Sequence, residues 1–139
     1  MSVERTFSAI KPDAVAAGQA GEILALIQKA GFTVLGLRMT RLTLAQARGF
    51  YAVHKERPFY ESLVKFMTEG PVIVMALERE DAIAKLREVM GATNPANAAE
   101  GTIRKRFAAS IEHNCIHGSD APETARQELG FFFSTAELL

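Results

Sequence analysis

The sequence is poor in cysteine, has no excess of either charge and has no long apolar run. The single cysteine, Cys115, cannot form an internal disulfide, which fits a reducing compartment, so we expect a cytoplasmic protein. The 16 basic and 16 acidic residues cancel, which argues against a broad nucleic-acid surface but allows a local basic pocket. No signal peptide or membrane-spanning segment is visible, so we expect no membrane partner.

The chain of 139 residues is long enough to bury one core, and we expect a single domain over residues 1–139. A hydrophobic content of 48% is ordinary for a globular protein. Cys115 lacks the partners of a zinc site or a thiol protease, so we expect it to be a small buried side chain.

Strand-like and helix-like segments alternate along the chain. We predict strands over residues 6–10, 33–42, 72–77 and 111–116. In the second strand, Leu35, Leu37 and Met39 should share one side. We predict helices over residues 22–30, 43–54, 60–69, 81–90, 102–107 and 121–130. This order predicts an α/β (α+β) sandwich of the ferredoxin-like type. Its four-stranded antiparallel sheet would be covered by helices, with an inserted helical pair between strands two and three.

The last helix has a recognisable start and an unusual end. Asp120 can cap it, Pro122 fits its first turn, and Glu123 stands three residues after the cap. The three aromatic residues 131–133 should be buried, either in the core or in a subunit contact.

His117 stands where a predicted strand ends and a helix is about to begin. Backbone N–H groups at a helix N-terminus are unpaired and attract anions, so a neutral imidazole there could attack a bound phosphate. The alternative is a loop histidine that bonds only to its neighbours.

Three cations could hold the phosphate oxygens. Lys11 ends the first strand, and Arg87 and Arg104 bracket residues 92–101, a loop too long to be idle. Thr93 could add a hydroxyl donor and Asn114 an amide. Taken singly, each cation could instead be a solvated surface charge.

Other residues could orient the imidazole or bind a base. Glu128 should face back towards His117 from the last helix, and Ser119 is two residues away; Glu128 could instead pair with Arg126 or Lys105. Phe59 and Leu63, one helical turn apart, could carry a base or simply pack in the core.

The residues alone lead to phosphoryl transfer and no further. There is no P-loop, no glycine-rich kinase loop and no carboxylate cluster for a metal, although Mg²⁺ can bridge phosphates with few protein ligands. A binding module without turnover remains an alternative. A metal protein built on His54, His113 and His117 fails on spacing.

The chain resembles the nucleoside diphosphate kinase family. Residues 114–120 read Asn-Cys-Ile-His-Gly-Ser-Asp and are similar to that family's N-x-x-H-G-S-D signature. The resemblance extends over nearly the whole chain, through residues 4–6, 10–14, 49–54, 57–59, 62–63, 70–72, 90–95 and 101–104.

The resemblance implies a ferredoxin-like fold and a ping-pong reaction that uses Mg²⁺. A nucleoside triphosphate, mainly ATP, would phosphorylate His117 at Nδ1, and the phosphohistidine would phosphorylate a nucleoside diphosphate. The phosphates and sugar would contact Lys11, Arg87, Thr93, Arg104 and Asn114. Phe59 would stack on the base beside Leu63, and Tyr51, Ser119 and Glu128 would support the site. A homo-oligomer is also implied, a tetramer by preference over a hexamer or dimer. Stacking reads no base edge, so it tolerates any base.

Two segments depart from the family's usual pattern. Lys105 and Arg106 follow Arg104, where a small residue and an aspartate are common. Residues 78–81 read Glu-Arg-Glu-Asp in place of a Glu-Gly-Glu-Asn type, so Arg79 replaces a glycine.

Overall fold

A computed structural model describes residues 3–138 and contains one four-stranded antiparallel sheet in the order β2-β3-β1-β4. The strands are β1 (Val3–Ile10), β2 (Thr33–Thr40), β3 (Val72–Glu80) and β4 (Ile116–Gly118). The predicted fold class is confirmed, and β3 is central in the sheet, as its continuous apolar run indicates.

Within residues 3–138, seven α-helices cover the sheet. They are α1 (Pro12–Ala16), α2 (Ala20–Lys29), α3 (Leu44–Phe50), α4 (Tyr60–Met67), α5 (Ala82–Met90), α6 (Ile103–Phe107) and α7 (Pro122–Phe132). Short 3₁₀ turns span Ala52–His54, Pro95–Asn97 and Thr135–Glu137. The helices α3 and α4 form the predicted pair between β2 and β3. Across residues 3–138, no helix has the length and apolarity needed to cross a membrane.

The sheet separates two hydrophobic cores, because alternate residues of a strand point to opposite faces. Phe7 of β1 and Val74 of β3 belong to the core that α3, α4 and α7 complete. Ile10 and Met75 belong to the other, which α2, α5 and α6 complete. Each central strand thus contributes to both cores and fixes where its neighbours lie.

The prediction that Leu35, Leu37 and Met39 share one side of β2 is wrong. The pairing with β3 shifts between Val34 and Gly36, which is a β-bulge at Leu35. Leu35 is therefore buried in the first core, while Leu37 and Met39 stand on the other face and are 48% and 57% exposed.

Helix starts were predicted with mixed success. The capping box of Thr43 and Gln46 is present at the start of α3. Asp120 is not the cap of α7: the N-cap is Ala121, whose N–H donates to Thr124 Oγ1, and that hydroxyl donates to Asp120. Thr124 thus takes the place of a capping side chain.

The predicted strand 111–116 is mostly a loop. The strand β4 covers Ile116–Gly118 and pairs with β1, so Ile116 is the residue of the predicted range that lies in a strand, and Ile111 lies outside it with its side chain 55% exposed. The three aromatic residues that end α7 also differ from one another. Phe133 is buried, Phe132 is partly buried against the first core, and Phe131 is exposed.

Arg38 of β2 fastens the end of the chain to the sheet. Its guanidinium donates to the Phe132 carbonyl at 2.7 Å, pairs with Glu137 at 3.1 Å and lies 5.2 Å from the Phe133 ring centre. The segment after α7 is therefore part of the first core.

The structure explains the unusual segment at residues 78–81. The Arg79 guanidinium donates to the Ala30 carbonyl at the end of α2 and lies over the Phe32 ring. Asp81 has a left-handed backbone (φ 55°) and its side chain does not cap α5. Instead, Glu4 of β1 accepts the Ile83 N–H at 2.8 Å, so a neighbouring strand supplies the cap.

We expect Gly91→Ala to destabilise the protein by about 1–3 kcal/mol, since its left-handed backbone disfavours a side chain. Gly91 has φ +86°, and a Cβ there would lie 2.5 Å from Thr102 Oγ1. Gly21→Ala is the matched control, because a Cβ in that helical position meets nothing within 4 Å. It should be neutral or stabilising by about 0.5–1 kcal/mol. Urea unfolding of the three proteins measures both effects, and equal midpoints would contradict the expectation.

Candidate active site

A cleft of about 520 Å³ lies between β4, the helical pair α3–α4 and the helices α5, α6 and α7. Most of the predicted site residues line it: Lys11, Tyr51, Leu63, Arg87, Thr93, Arg104, Asn114, His117 and Glu128. Ser119 lies behind the lining and Phe59 lies outside it. Residues from distant parts of the sequence thus meet in one depression beside β4.

His117 is the middle residue of β4 and is anchored through one ring nitrogen. Its Nε2 lies 2.8 Å from Glu128 Oε1, and Ser119 Oγ donates to the same oxygen at 2.7 Å. An ionised carboxylate only accepts, so Nε2 carries the proton and Nδ1 keeps its lone pair. Glu128 therefore bonds with His117, and its alternative partners Arg126 and Lys105 do not pair with it.

The backbone around His117 is held by β1. Ala9 is its partner in the sheet, and the Ser119 N–H donates to the Phe7 carbonyl at 3.1 Å. The Ser8 hydroxyl also donates to the His117 carbonyl at 2.7 Å from the opposite face of the sheet. Sequence reasoning missed Ser8, because a serine within a strand gives no sign of which carbonyl it reaches.

Lys11 is a buried cation with an amide as its partner. Its Nζ donates to Asn114 Oδ1 at 2.8 Å, and Asn114 Nδ2 donates to the Ile111 carbonyl at 2.9 Å. Burial, and next the charge of Arg104, lower the pKa of Lys11 to about 8. Its predicted alternative, a solvated surface charge, is wrong.

Arg104 is also buried and is held by three backbone carbonyls. Its guanidinium donates to Ile116 at 2.8 Å, to Gly91 at 3.1 Å and to Asn114 at 3.4 Å. Burial lowers its pKa, and Arg87 lowers it further against an opposing effect of Cys115. Because carbonyls carry no net charge, the positive charge of Arg104 is left to attract an anion in the cleft.

Tyr51 and Cys115 are buried beside the cleft. The Tyr51 hydroxyl has no hydrogen-bond partner within residues 3–138, and burial raises its pKa, as does Glu128 to a smaller degree. It therefore stays protonated and can donate to a ligand. Cys115 is fully buried, as expected, with a left-handed backbone (φ 64°), and its carbonyl accepts the Lys11 N–H. Burial raises the pKa of its thiol to about 12.

Aromatic side chains lie at the entrance of the cleft. The Phe59 ring is 43% exposed, and its centre lies 5.5 Å from the His54 ring. His54 in turn lies beside Tyr51, with ring centres 6.4 Å apart. Phe59 thus offers an accessible ring at the entrance, while Leu63 lines the interior.

Several cleft residues were not predicted. They are Gly49, Phe50, Val53, His54, Met90, Gly118, Asp120, Thr124, Gln127 and Phe131. Seven of them lie in segments through which the chain resembles the family, at residues 49–54, 90–95 and 114–120, but the resemblance gave them no separate role. Thr124, Gln127 and Phe131 have the spacing of ordinary helix positions, so the sequence carries no signal for them.

No metal centre is formed by side chains alone. Within the described part of the chain, no three His, Cys, Asp or Glu residues are placed to hold an ion. His113, which a metal site with His54 and His117 would need, packs against Phe66 with ring centres 4.7 Å apart and lines a different cavity. The acidic side chains that line the cleft are Asp120 and Glu128.

Comparison with known proteins points to one family. The family model described as nucleoside diphosphate kinase matches residues 4–138. A nucleoside diphosphate kinase of Nitratidesulfovibrio vulgaris is 61% identical over 137 residues, covering 99% of both chains. One of Halorhodospira halophila is 60% identical over 138 residues, covering 99% of this chain and 98% of the relative.

Solved structures agree with this comparison. The Aquifex aeolicus nucleoside diphosphate kinase has a TM-score of 0.96 at 45% identity, covering 99% of this chain and 100% of that one. A halophilic nucleoside diphosphate kinase from Halobacterium salinarum in complex with CDP has a TM-score of 0.94 at 38% identity. That match covers 99% of this chain and 92% of the other.

The state of Lys11 should make phosphate binding dependent on pH. Below about pH 8 its ammonium is charged and attracts phosphate; above that value it becomes neutral. The measurement that checks this is calorimetry of tripolyphosphate binding to the wild type and to Lys11→Met between about pH 7 and 9.5. The advantage of the wild type should shrink towards none as pH rises. A constant ratio of the two affinities would contradict the expected titration, and changes in the ligand's own charge cancel in that ratio.

Proposed function

This chain belongs to the nucleoside diphosphate kinase family and is a phosphotransferase of nucleotide metabolism; we propose that His117 carries its phosphoryl group. The observation behind this proposal is the bond from Nε2 to Glu128, which leaves Nδ1 as the nucleophilic nitrogen in a cleft lined by cations.

In the first half-reaction, the Nδ1 lone pair attacks the γ-phosphorus of a nucleoside triphosphate. A P–N bond forms, the bond between the γ-phosphorus and its bridging oxygen breaks, and the nucleoside diphosphate leaves. In the second half-reaction, a terminal oxygen of another nucleoside diphosphate attacks the same phosphorus and Nδ1 leaves. Glu128 accepts the Nε2–H throughout, so the imidazole keeps one tautomer and gains positive charge next to a carboxylate.

The cations are assigned to the phosphates by their position. Lys11 and Arg104 are buried and form no ion pair with a carboxylate of residues 3–138, although the charge of Asp13 acts on Lys11, so phosphate oxygens are suitable partners for both cations. Arg87 and Thr93 lie on the open side of the same cleft and can add donors. Asn114 holds Lys11 in place, which supports a positioning role for its amide.

The nucleoside is assigned to the aromatic mouth. Phe59 is exposed there and Leu63 lies inside, so a base stacked on Phe59 would lead its phosphates towards His117. The Halobacterium relative was solved in complex with CDP, which supports nucleotide binding in this fold. A base held by its face is not distinguished by its edge, which favours ATP together with other nucleoside tri- and diphosphates as substrates.

The acidic side chains of the cleft fit a magnesium ion that the nucleotide itself brings. Proteins commonly hold Mg²⁺ through one or two carboxylates together with substrate phosphates. Glu128 is engaged by His117, so Asp120 is the cleft carboxylate that could approach the ion, directly or through water. When bound, Mg²⁺ neutralises charge on the phosphate oxygens.

Assembly and compartment complete the proposal. The edge strand β2 exposes Leu37 and Met39, an apolar surface of the kind that subunit contacts cover. This supports a homo-oligomer, for which we favour a tetramer over a hexamer or dimer. The lone buried thiol of Cys115 is compatible with the cytoplasm.

The phosphoenzyme gives a direct test. Intact mass after mixing with ATP and Mg²⁺, without an acceptor, should rise by one phosphoryl group and return to the original value after GDP is added. His117→Ala should remain folded and gain no mass. A wild type that binds ATP without any gain would contradict the mechanism and favour a binding module without turnover.

The assembly is tested by light scattering in solution. The wild type should have the mass of a homo-oligomer, and Met39→Lys should give a smaller species, because burying an unpaired charge at a contact is unfavourable. Val53→Lys is the matched control, since Val53 is also an exposed apolar residue and lies away from β2. A monomeric wild type, or an equal loss in both variants, would contradict the assigned contact.

A further inference from the structure

Aromatic rings enclose the His117 imidazole on sides that Glu128 leaves open. The ring centres of Phe50, Phe7 and Tyr51 lie 5.6, 5.9 and 6.4 Å from that of the imidazole. Their planes are inclined to it by 74°, 57° and 90°. The contacts of Phe50 and Tyr51 with the imidazole are edge-to-face, a preferred geometry for aromatic pairs, and that of Phe7 is tilted.

Phe50 is the centre of this group. Among the described aromatic side chains, it is the one whose ring centre lies within 5.6 Å of His117 and of all four neighbours at once. Those neighbours are Phe7, Tyr51, Phe131 and Phe132, at 5.5, 4.9, 5.4 and 5.2 Å. The group therefore links α3 and α7 to β1 through one ring that also lines the cleft.

The bond to Glu128 does not by itself fix the imidazole. Rotation about the bond that joins the ring to the side chain has broad minima, so packing decides which edge of a histidine faces a ligand. Both ring nitrogens are nucleophiles when unprotonated. An imidazole that turned away from Glu128 would present Nε2 to the phosphate, and the Phe50 ring, packed edge-to-face with the imidazole, opposes such a turn.

We propose that Phe50 is a positioning residue that keeps Nδ1 of His117 directed at the phosphate and so selects the ring nitrogen that is phosphorylated. The inference rests on the proposed phosphohistidine and adds a second determinant of the ring's orientation to the hydrogen bond with Glu128. Phe50 touches the imidazole and takes no part in bond formation.

The test reads the phosphohistidine isomer. Wild type, Phe50→Leu and Phe50→Ala are phosphorylated with ATP and Mg²⁺, denatured in base and examined by ³¹P NMR, which separates Nδ1- from Nε2-phosphohistidine. Phe50→Leu keeps most of the apolar volume, so it decides the matter if Phe50→Ala does not fold. Phe107→Leu and Phe107→Ala are the controls, since Phe107 is partly buried against the other core.

We expect Nδ1-phosphohistidine alone in the wild type and in both Phe107 variants. Both Phe50 variants should contain the Nε2 isomer as well, with more in Phe50→Ala. Their single-turnover phosphorylation should slow by roughly tenfold at saturating ATP, as expected for a misplaced nucleophile, with little change in the concentration needed for half-saturation.

The outcomes distinguish the role of Phe50 from the phosphohistidine mechanism itself. Nδ1-phosphohistidine alone in the folded Phe50 variants overturns the selection role, whether or not the rate falls, because a purely structural role would lower rate without changing the isomer. Nε2-phosphohistidine or no phosphohistidine in the wild type would overturn the proposed mechanism itself.

Discussion

The geometry of the site depends on one carboxylate oxygen. Oε1 of Glu128 accepts hydrogen bonds from both the His117 imidazole and the Ser119 hydroxyl, so the strand that carries His117 and the turn that follows it are joined to α7 at one point. The tautomer of the imidazole follows from this contact, and packing against Phe50 adds to it in directing the free nitrogen. The Ser119 hydroxyl donates to the Glu128 carboxylate and not to the imidazole, so its contact with His117 is indirect, through Glu128.

The sheet explains why so short a strand can hold a reactive side chain. β4 has only three paired residues, but its neighbour β1 is central and is held along its whole length by β3. His117 faces the core that contains α7, whereas Ser8 reaches its carbonyl from the face covered by α5. The proposed nucleophile is thus held from both sides of the sheet, while its imidazole lines the cleft.

Much of this arrangement could be predicted from local patterns, and the rest depends on tertiary contacts. The apolar run of β3, the capping box at Thr43 and the return of Glu128 to His117 follow from residue type and helical spacing. The bulge at Leu35 could not be predicted, because the alternating apolar residues of β2 do not show where an extra residue enters the pairing with β3. Asp120 resembles a cap in sequence, but the N-cap of α7 is Ala121, and Thr124 accepts the N–H of that residue. Phe50 has the spacing of any core residue, and only its neighbours in space distinguish it.

The two buried cations have a consequence for the life of the protein in the cell. Lys11 and Arg104 are removed from water with neutral amides and carbonyls as partners, so the cleft carries an electrostatic cost that a bound phosphate chain would relieve. A ligand that binds only the folded state raises the free energy of unfolding, and well above its dissociation constant this increase grows with the logarithm of the ligand concentration. The resistance of this chain to unfolding and proteolysis should therefore follow the supply of nucleotides. An enzyme that balances a metabolite pool would in this way have its own abundance adjusted by that pool, without a dedicated regulatory site.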